Sequence, residues 1–313
     1  MRLAIIIIVS VIVFIFLCVA LSSYLMFRAY FTRRKREKDY VSGGYQEPWK
    51  SIIDLRNAEK DWFFGLPCET LRIKSGGFEL NGYYLSQKSP LTAILIHGYN
   101  DDSRSRMPDA RLYHDMGYNV FIPDVRSHGK SQGKYVGMGC VDRRDILRWI
   151  DLLRSKEAGP CKFVLDGVSM GGATVLALSG DPDLPESVCA IVSDCAFTSV
   201  KELLPTLSRL KPRFLTAWLV AALGVWSRML ARYGYSEATP EQMIQKAKVP
   251  VLIIHGAKDE FVPFVMSKRL YELCSSENKE YWAAETAGHA TSSWYEREGY
   301  QERIREFLGK YAK

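Results

Sequence analysis

Gly167-Val168-Ser169-Met170-Gly171 stands between an apolar run at 162–166 and a helix-like stretch at 170–180. A serine at a sharp strand-to-helix turn is held in strained backbone geometry, with its hydroxyl exposed above the sheet. The flanking glycines let neighbouring main chain approach without a Cβ clash. The helix N-terminus beneath favours any negative charge that develops there. The five-residue pattern alone is weak; its position after an apolar strand gives it weight.

Outward from this turn the chain alternates. Strand-like runs at 71–74 and 78–86 read as an antiparallel pair across Gly76-Gly77, and runs at 93–97, 119–124, 162–166, 190–194, 251–255 and 280–284 follow. The central ones are continuous apolar runs, as strands buried on both faces are. Helical patterns at 104–116, 141–156, 170–180, 263–275 and 294–309 lie between them. The alternation predicts an α/β fold: eight strands in a mostly parallel sheet with helices on both faces. Working residues in such sheets sit on loops at the carboxyl ends of strands. Residues 198–247 break the alternation with helix-like material only, which predicts a helical lid over that edge.

A hydroxyl is a poor nucleophile without a base and an acid to orient it. Of the five histidines (97, 114, 128, 255 and 289), His289 follows the last strand-like run. His255 reads as a packed strand-end residue, and His97 and His128 as hydrogen-bonding groups within their loops. Asp259 follows the run 251–255 and would hold His289 in the right tautomer. Its rivals are Glu260 and Asp194, and Asp194, one strand earlier, is the serious one. An oxyanion needs two preorganised donors. The backbone N–H groups of Met170 and of Tyr99, in His97-Gly98-Tyr99-Asn100, are the candidates; the alternative is that His97-Gly98 is only a tight turn.

The chain has 313 residues, 47% hydrophobic and 25% charged, which excludes wholesale disorder, collagen and coiled coil. Residues 3–27 carry no charge over 25 positions, about 37 Å of helix at ~1.5 Å per residue, enough to cross a bilayer. A core helix would show a polar face. A cleaved signal peptide would need a better site than Ala20-Leu21-Ser22. The expectation is therefore a retained single-pass anchor at 1–30 in the cell membrane, followed by a juxtamembrane linker at 31–61 with Gly43-Gly44 and Pro48, and a catalytic domain at 62–313. Arg28, Arg33, Arg34, Lys35, Arg36 and Lys38 follow the span and Arg2 precedes it, so the domain should be cytoplasmic. With Glu37 and Asp39 these bases account for +5 of the net +7, leaving +2 elsewhere, so no nucleic-acid partner is implied. Seven scattered cysteines without a CxxC pair read as reduced thiols rather than a zinc knuckle or disulfide framework. No metal or organic cofactor is implied.

Together the His97-Gly98 loop, the stretch 124–131 (DVRSHGKS), the turn at Ser169, His255-Gly256…Asp259 and Gly288-His289 resemble the ordered landmarks of α/β-hydrolase fold serine hydrolases. With the N-terminal span, the chain most resembles bacterial membrane-anchored hydrolases of the serine aminopeptidase/monoacylglycerol lipase-like group. The resemblance covers about 62 to 313 and implies the order nucleophile Ser169, acid Asp259, base His289. It does not fix the substrate, since the family also holds thioesterases, peptidases, haloperoxidases and acyltransferases. Dehalogenases and epoxide hydrolases carry Asp where Ser169 stands.

Trp218 and Trp226 sit at i, i+8 in the lid. They read either as ordinary packing or as the lining of an acyl pocket, with the lid's bases set against anionic headgroups. Between Lys201 and Arg232 there are six bases and one acid, Glu202, which disfavours capture of a substrate amine. The expected activity is hydrolysis of a carboxylic ester on a small or lipid-like acyl substrate. The competing class is a tethered binding module that keeps the fold without the chemistry, and the presence of all three residue types in order argues against it.

Overall fold

The structure is a computed structural model that describes residues 1–34, 49–156, 159–207, 213–237 and 239–312. Lys35, Arg36, Lys38, Gly43-Gly44, Pro48, Arg209 and Lys211 lie outside the described residues. The sheet has eight strands: β1 (Cys68–Ser75), β2 (Phe78–Leu85), β3 (Leu91–Ile96), β4 (Asn119–Pro123), β5 (Lys162–Val168), β6 (Val188–Asp194), β7 (Val251–Gly256) and β8 (Lys279–Ala284). Their order is β1-β2-β4-β3-β5-β6-β7-β8. β1 and β2 are antiparallel, β2 meets β4 antiparallel, and β4 through β8 run parallel. Gly76 and Gly77, at φ +57° and +83°, make the two-residue hairpin turn that only positive φ closes easily. β1 starts three residues before its apolar part, because an edge strand pairs through its backbone whatever its side chains (Cys68 opposite Leu85).

The helices are α1 (Arg2–Phe31), α2 (Trp49–Gly65), α3 (Met107–Asp115), α4 (Asp142–Lys156), α5 (Met170–Ser179), α6 (Val200–Leu207), α7 (Arg213–Trp226), α8 (Pro240–Ile244), α9 (Phe264–Leu273), α10 (Ser292–Tyr295) and α11 (Arg297–Tyr311). The sheet separates two cores. Ile94, Ile96, Phe163, Leu165 and Ile253 point to one, with α4, α5, α9 and the end of α1. Ala93, Leu95, Val164, Leu252 and Ile254 point to the other, with α2, α3 and α11. Each central strand thus feeds both faces, which is why its sequence is apolar without alternation.

Three expectations change. Residues 49–61, read as linker, belong to α2. Its buried Ile52, Ile53 and Phe63 mark one apolar stripe about three turns long, and Glu59 pairs with Arg111 of α3 at 3.0 Å. The intervening charged residues hide that stripe in the sequence. The helix expected at 294–309 is split into α10 and α11 at Glu296, whose φ of −127° is not helical. The insertion at 198–247 is helical, but α7 packs along α1 instead of covering the carboxyl edge. The cause is apolar complementarity: Phe27 and Phe31 of α1 join Val220, Leu223 and Tyr235 in one cluster.

α1 is long and apolar enough to cross a membrane. It is exposed from Arg2 to Cys18, and its far end is held by Ser23, Phe27 and Phe31, which are buried. A β-bridge joins Thr32 to Tyr135, and the Arg33 guanidinium donates to the carbonyls of Ser131 and Gly129, both at 2.6 Å.

Candidate active site

Ser169 follows β5 and caps α5 at φ +56°, ψ −113°, a conformation that L side chains rarely adopt. The turn is tight enough to require its glycines. A Cβ on Gly167 would lie 2.2 Å from the carbonyl oxygen of Gly171, and one on Gly171 would lie 2.2 Å from that of Ile96. Ser169 N–H donates to the Asp194 carbonyl at 2.8 Å, fixing the turn to the end of β6.

Ser169 Oγ lies 2.9 Å from His289 Nε2, and His289 Nδ1 lies 2.7 Å from Asp259 Oδ2. The three come from the ends of β5, β7 and β8. With Nδ1–H donating to the carboxylate, Nε2 is left as acceptor for the serine hydroxyl. Asp259 Oδ1 accepts the backbone N–H groups of Phe261 and Val262 at 2.9 and 2.8 Å. Burial pushes this carboxyl up, but the hydrogen bonds from His255 and His289 and from the Val262 N–H outweigh it and hold it down at about 2.

The rival acid is elsewhere. Asp194 is buried, and its Oδ1 accepts from Ser292 Oγ at 3.3 Å. Burial pushes it up to about 7, against the pull of His255 and Arg106. Glu260 is exposed.

Two neighbours of Asp259 carry more than the sequence suggests. His255 is fully buried, and its Nε2 donates towards both the Val262 carbonyl at 3.0 Å and Asp259 Oδ2 at 3.1 Å. The i, i+4 spacing of His255 and Asp259 was the available signal. Cys195 follows β6 at φ +47°, and its Sγ, an Asp259 oxygen and a His289 nitrogen lie within 4.8 Å of one another. Three such atoms are close enough for a metal. Two of them already hydrogen-bond each other, and burial followed by Asp194 and Asp259 pushes the thiol well above its ordinary range, away from the thiolate a metal needs.

The loop after β3 closes on the serine: a Cβ on Gly98 would stand 3.4 Å from Ser169 Cβ. His97 Nε2 accepts the Val125 N–H at 2.9 Å and His128 Nε2 accepts the Asn100 N–H at 3.2 Å, so both histidines act as loop braces. Burial, and then His97, push His128 down to about 3, keeping it neutral for that acceptor role. Tyr99 lies in this loop, and Met170 opens the first turn of α5, where N–H groups have no intrahelical acceptor.

Ser169 and His289 open into a cleft of about 250 Å³. Its walls include Trp49, Ile52 and Leu55 of α2, Tyr99, Trp294 and Arg297. Neither tryptophan expected to line it does so. Trp226 Nε1 donates to Ser23 Oγ of α1 at 3.0 Å, and Trp218 is 69% exposed on α7. α2, whose first residues read as linker in the sequence, supplies the apolar wall instead. Beneath the cleft, Arg106 pairs with Asp109 and Asp166, both at 2.7 Å, and Tyr113 donates to Asp166 at 2.8 Å.

Residues 88–243 match the family model described as serine aminopeptidase, S33. The chain is 30% identical over 234 residues to the protein YqkD of Bacillus subtilis, covering 74% of this chain and 76% of that one. It is 28% identical over 201 residues to YNL320W of Saccharomyces cerevisiae, described as a membrane protein, covering 63% of each. Among solved structures it is similar to the Pyrococcus furiosus esterase Pf2001, with a TM-score of 0.67 and 22% identity, over 81% of this chain and 96% of that one.

Proposed function

Since the chain belongs to the serine aminopeptidase (S33) family of α/β-hydrolases, we propose that it is a membrane-tethered serine hydrolase that cleaves a carboxylic ester through an acyl-enzyme on Ser169. The hydrogen-bonded series Ser169–His289–Asp259, at 2.9 and 2.7 Å, carries this reading.

His289 Nε2 takes the Ser169 proton as Oγ attacks the acyl carbon. Asp259 holds the ring by Nδ1–H and stabilises the imidazolium that forms. The backbone N–H groups of Tyr99 and Met170 receive the developing oxyanion. Collapse expels the alkoxide, which leaves with the proton from His289. Water, deprotonated by the same imidazole, then releases the acid and restores Ser169.

The cleft favours an ester over an amine-bearing peptide. The two carboxylates in its wall, half-buried Asp101 and buried Asp109, face Arg56 at 3.7 Å and Arg106 at 2.7 Å, so an incoming ammonium would compete with arginines already in place. Trp49, Ile52 and Leu55 offer an apolar wall, and the volume suits a short acyl group. The esterase from Pyrococcus furiosus is a neighbour in fold.

Tethering rests on α1 and is supported by the membrane-protein description of the yeast relative. The bases that follow α1 put the catalytic unit on the cytoplasmic side. That unit begins at α2, since α2 walls the cleft, and the anchor occupies 1–30.

The test is a fluorophosphonate label on the purified full chain, with p-nitrophenyl esters of increasing length, a thioester and an aminoacyl amide alongside. Labelling that disappears in Ser169→Ala, with ester turnover ahead of amide, is the expected result. Wild-type protein that never labels points to a binding module.

A further inference from the structure

Arg297 stands in the wall of the cleft with Ser169 and His289, half-buried, as the first residue of α11. Two acids flank it in the chain, Glu296 and Glu298, yet it pairs with neither. Glu296 turns to Thr286, whose N–H and hydroxyl donate to its Oε1 at 2.7 and 2.8 Å, and Glu298 is exposed. One turn further on, where an acid would meet it, α11 has Tyr300 and Gln301. Among the described residues the Arg297 guanidinium has no ion-pair or hydrogen-bond partner.

The other charges of the wall are matched. Arg56 faces Asp101, and Arg106 faces Asp109. Asp166, the second partner of Arg106, is fully buried beneath the cleft and accepts from Tyr113 as well, so it offers the cleft no surface. Among the described residues the wall therefore carries one cation in excess, beside the nucleophile. A guanidinium that has lost part of its water without gaining a partner is unfavourable. In the first turn of α11 it also meets the positive end of the helix dipole. An anion entering the cleft relieves both. The planar fork of arginine fits a carboxylate through two parallel hydrogen bonds. Trp49, Ile52 and Leu55, in the same wall, suit an apolar spacer between that carboxylate and the ester.

We infer that Arg297 is a specificity-determining residue that receives a carboxylate of the substrate. The ester cleaved at Ser169 then carries a second, ionised acid group: it is a half-ester of a dicarboxylic acid or an ester of a hydroxy acid. The inference rests on the hydrolase reading of Ser169 and narrows the class of ester that enters.

The experiment assays the full chain in detergent on two matched pairs. One is the mono-p-nitrophenyl ester of adipic acid against the same compound methylated at its free acid. The other is para-butyryloxybenzoate against its methyl ester. The first pair puts the carboxylate on the acyl side, the second on the leaving side. Wild type is expected to favour the acid in at least one pair by about tenfold in kcat/KM, the size of one charge-assisted hydrogen bond. That ratio should fall to about one in Arg297→Gln, and by part of the way in Arg297→Lys, which keeps the charge but lacks the fork. A wild-type ratio of one or less in both pairs, or a fluorophosphonate-labelled enzyme that cleaves neither acid, overturns the inference and leaves Ser169 as nucleophile. A preference for the acid that both variants retain in full overturns the role of Arg297. Wild type that cleaves none of these esters and takes no label overturns the hydrolase reading, and this inference with it.

Discussion

The Tyr99 hydroxyl donates to the main-chain carbonyl of Tyr30 at 2.8 Å, fastening the loop beside Ser169 to the last full turn of α1. An element that looks like a passive tether is thereby part of the scaffold of the cleft. Removing that hydroxyl should loosen the loop proposed to supply one oxyanion donor. Tyr99→Phe is expected to lower kcat by about two- to tenfold, the equivalent of one neutral hydrogen bond, with little change in KM. A chain lacking residues 1–31 should lose more, even in detergent on a soluble ester. Equal kcat in all three proteins would show that α1 takes no part in shaping the cleft.

The choice of acid has its own test. Asp259→Asn should cut turnover by roughly 10⁴ with the fold retained, because the wrong tautomer of His289 then faces Ser169. Asp194→Asn, at a residue that contacts Ser292 rather than His289, should change turnover far less. Stopped-time ester assays with circular dichroism on both variants decide it, and the reverse ranking would move the acid to β6.

Arg106 lies 3% exposed between Asp109 and Asp166. Arg106→Met leaves two carboxylates buried without their partner and should cost about 3–5 kcal/mol, read from urea denaturation. Adding Asp166→Asn should recover part of that loss. A single variant as stable as wild type would mean the pair is solvated in solution.

Stability should fall as pH rises from about 4 to about 7. Burial, and then Asp145, push Asp142 up to about 7, and burial does the same to Asp194. Unfolded aspartates titrate near ~3.9, so between these values the folded chain holds protons that the unfolded chain has lost. Asp259 runs the other way: held down at about 2, its stabilising contribution is present above about pH 4 and is lost as pH falls towards 2. Asp142→Asn should therefore flatten the Tm profile between about pH 4 and 7. Parallel profiles for variant and wild type would remove Asp142 as a cause.

The central strands were legible because each one feeds two cores, so burial leaves an unbroken apolar run. β1 was legible only in part, since an edge strand is specified by its partner's backbone. α2 was not legible: Ile52, Ile53 and Phe63 form its buried stripe, but Asp54, Arg56, Lys60 and Asp61 between them look like linker. At the site, the turn at Ser169 and the histidine after the last strand could be read locally. His255 beside Asp259 left only a four-residue spacing as a clue, and Cys195 left none.

By itself the sequence determined the strand–helix alternation, the tight turn that holds Ser169, and the 25-residue uncharged apolar run, because each depends on periodicity, glycine placement or apolar length within a short window. Only the tertiary structure decided that His289 meets Asp259 rather than Asp194, and that Trp226 meets Ser23 rather than the cleft. Those partners are 30 and 203 residues apart, and their meeting is set by how far each strand end projects and by which apolar faces fit, quantities that no local window contains.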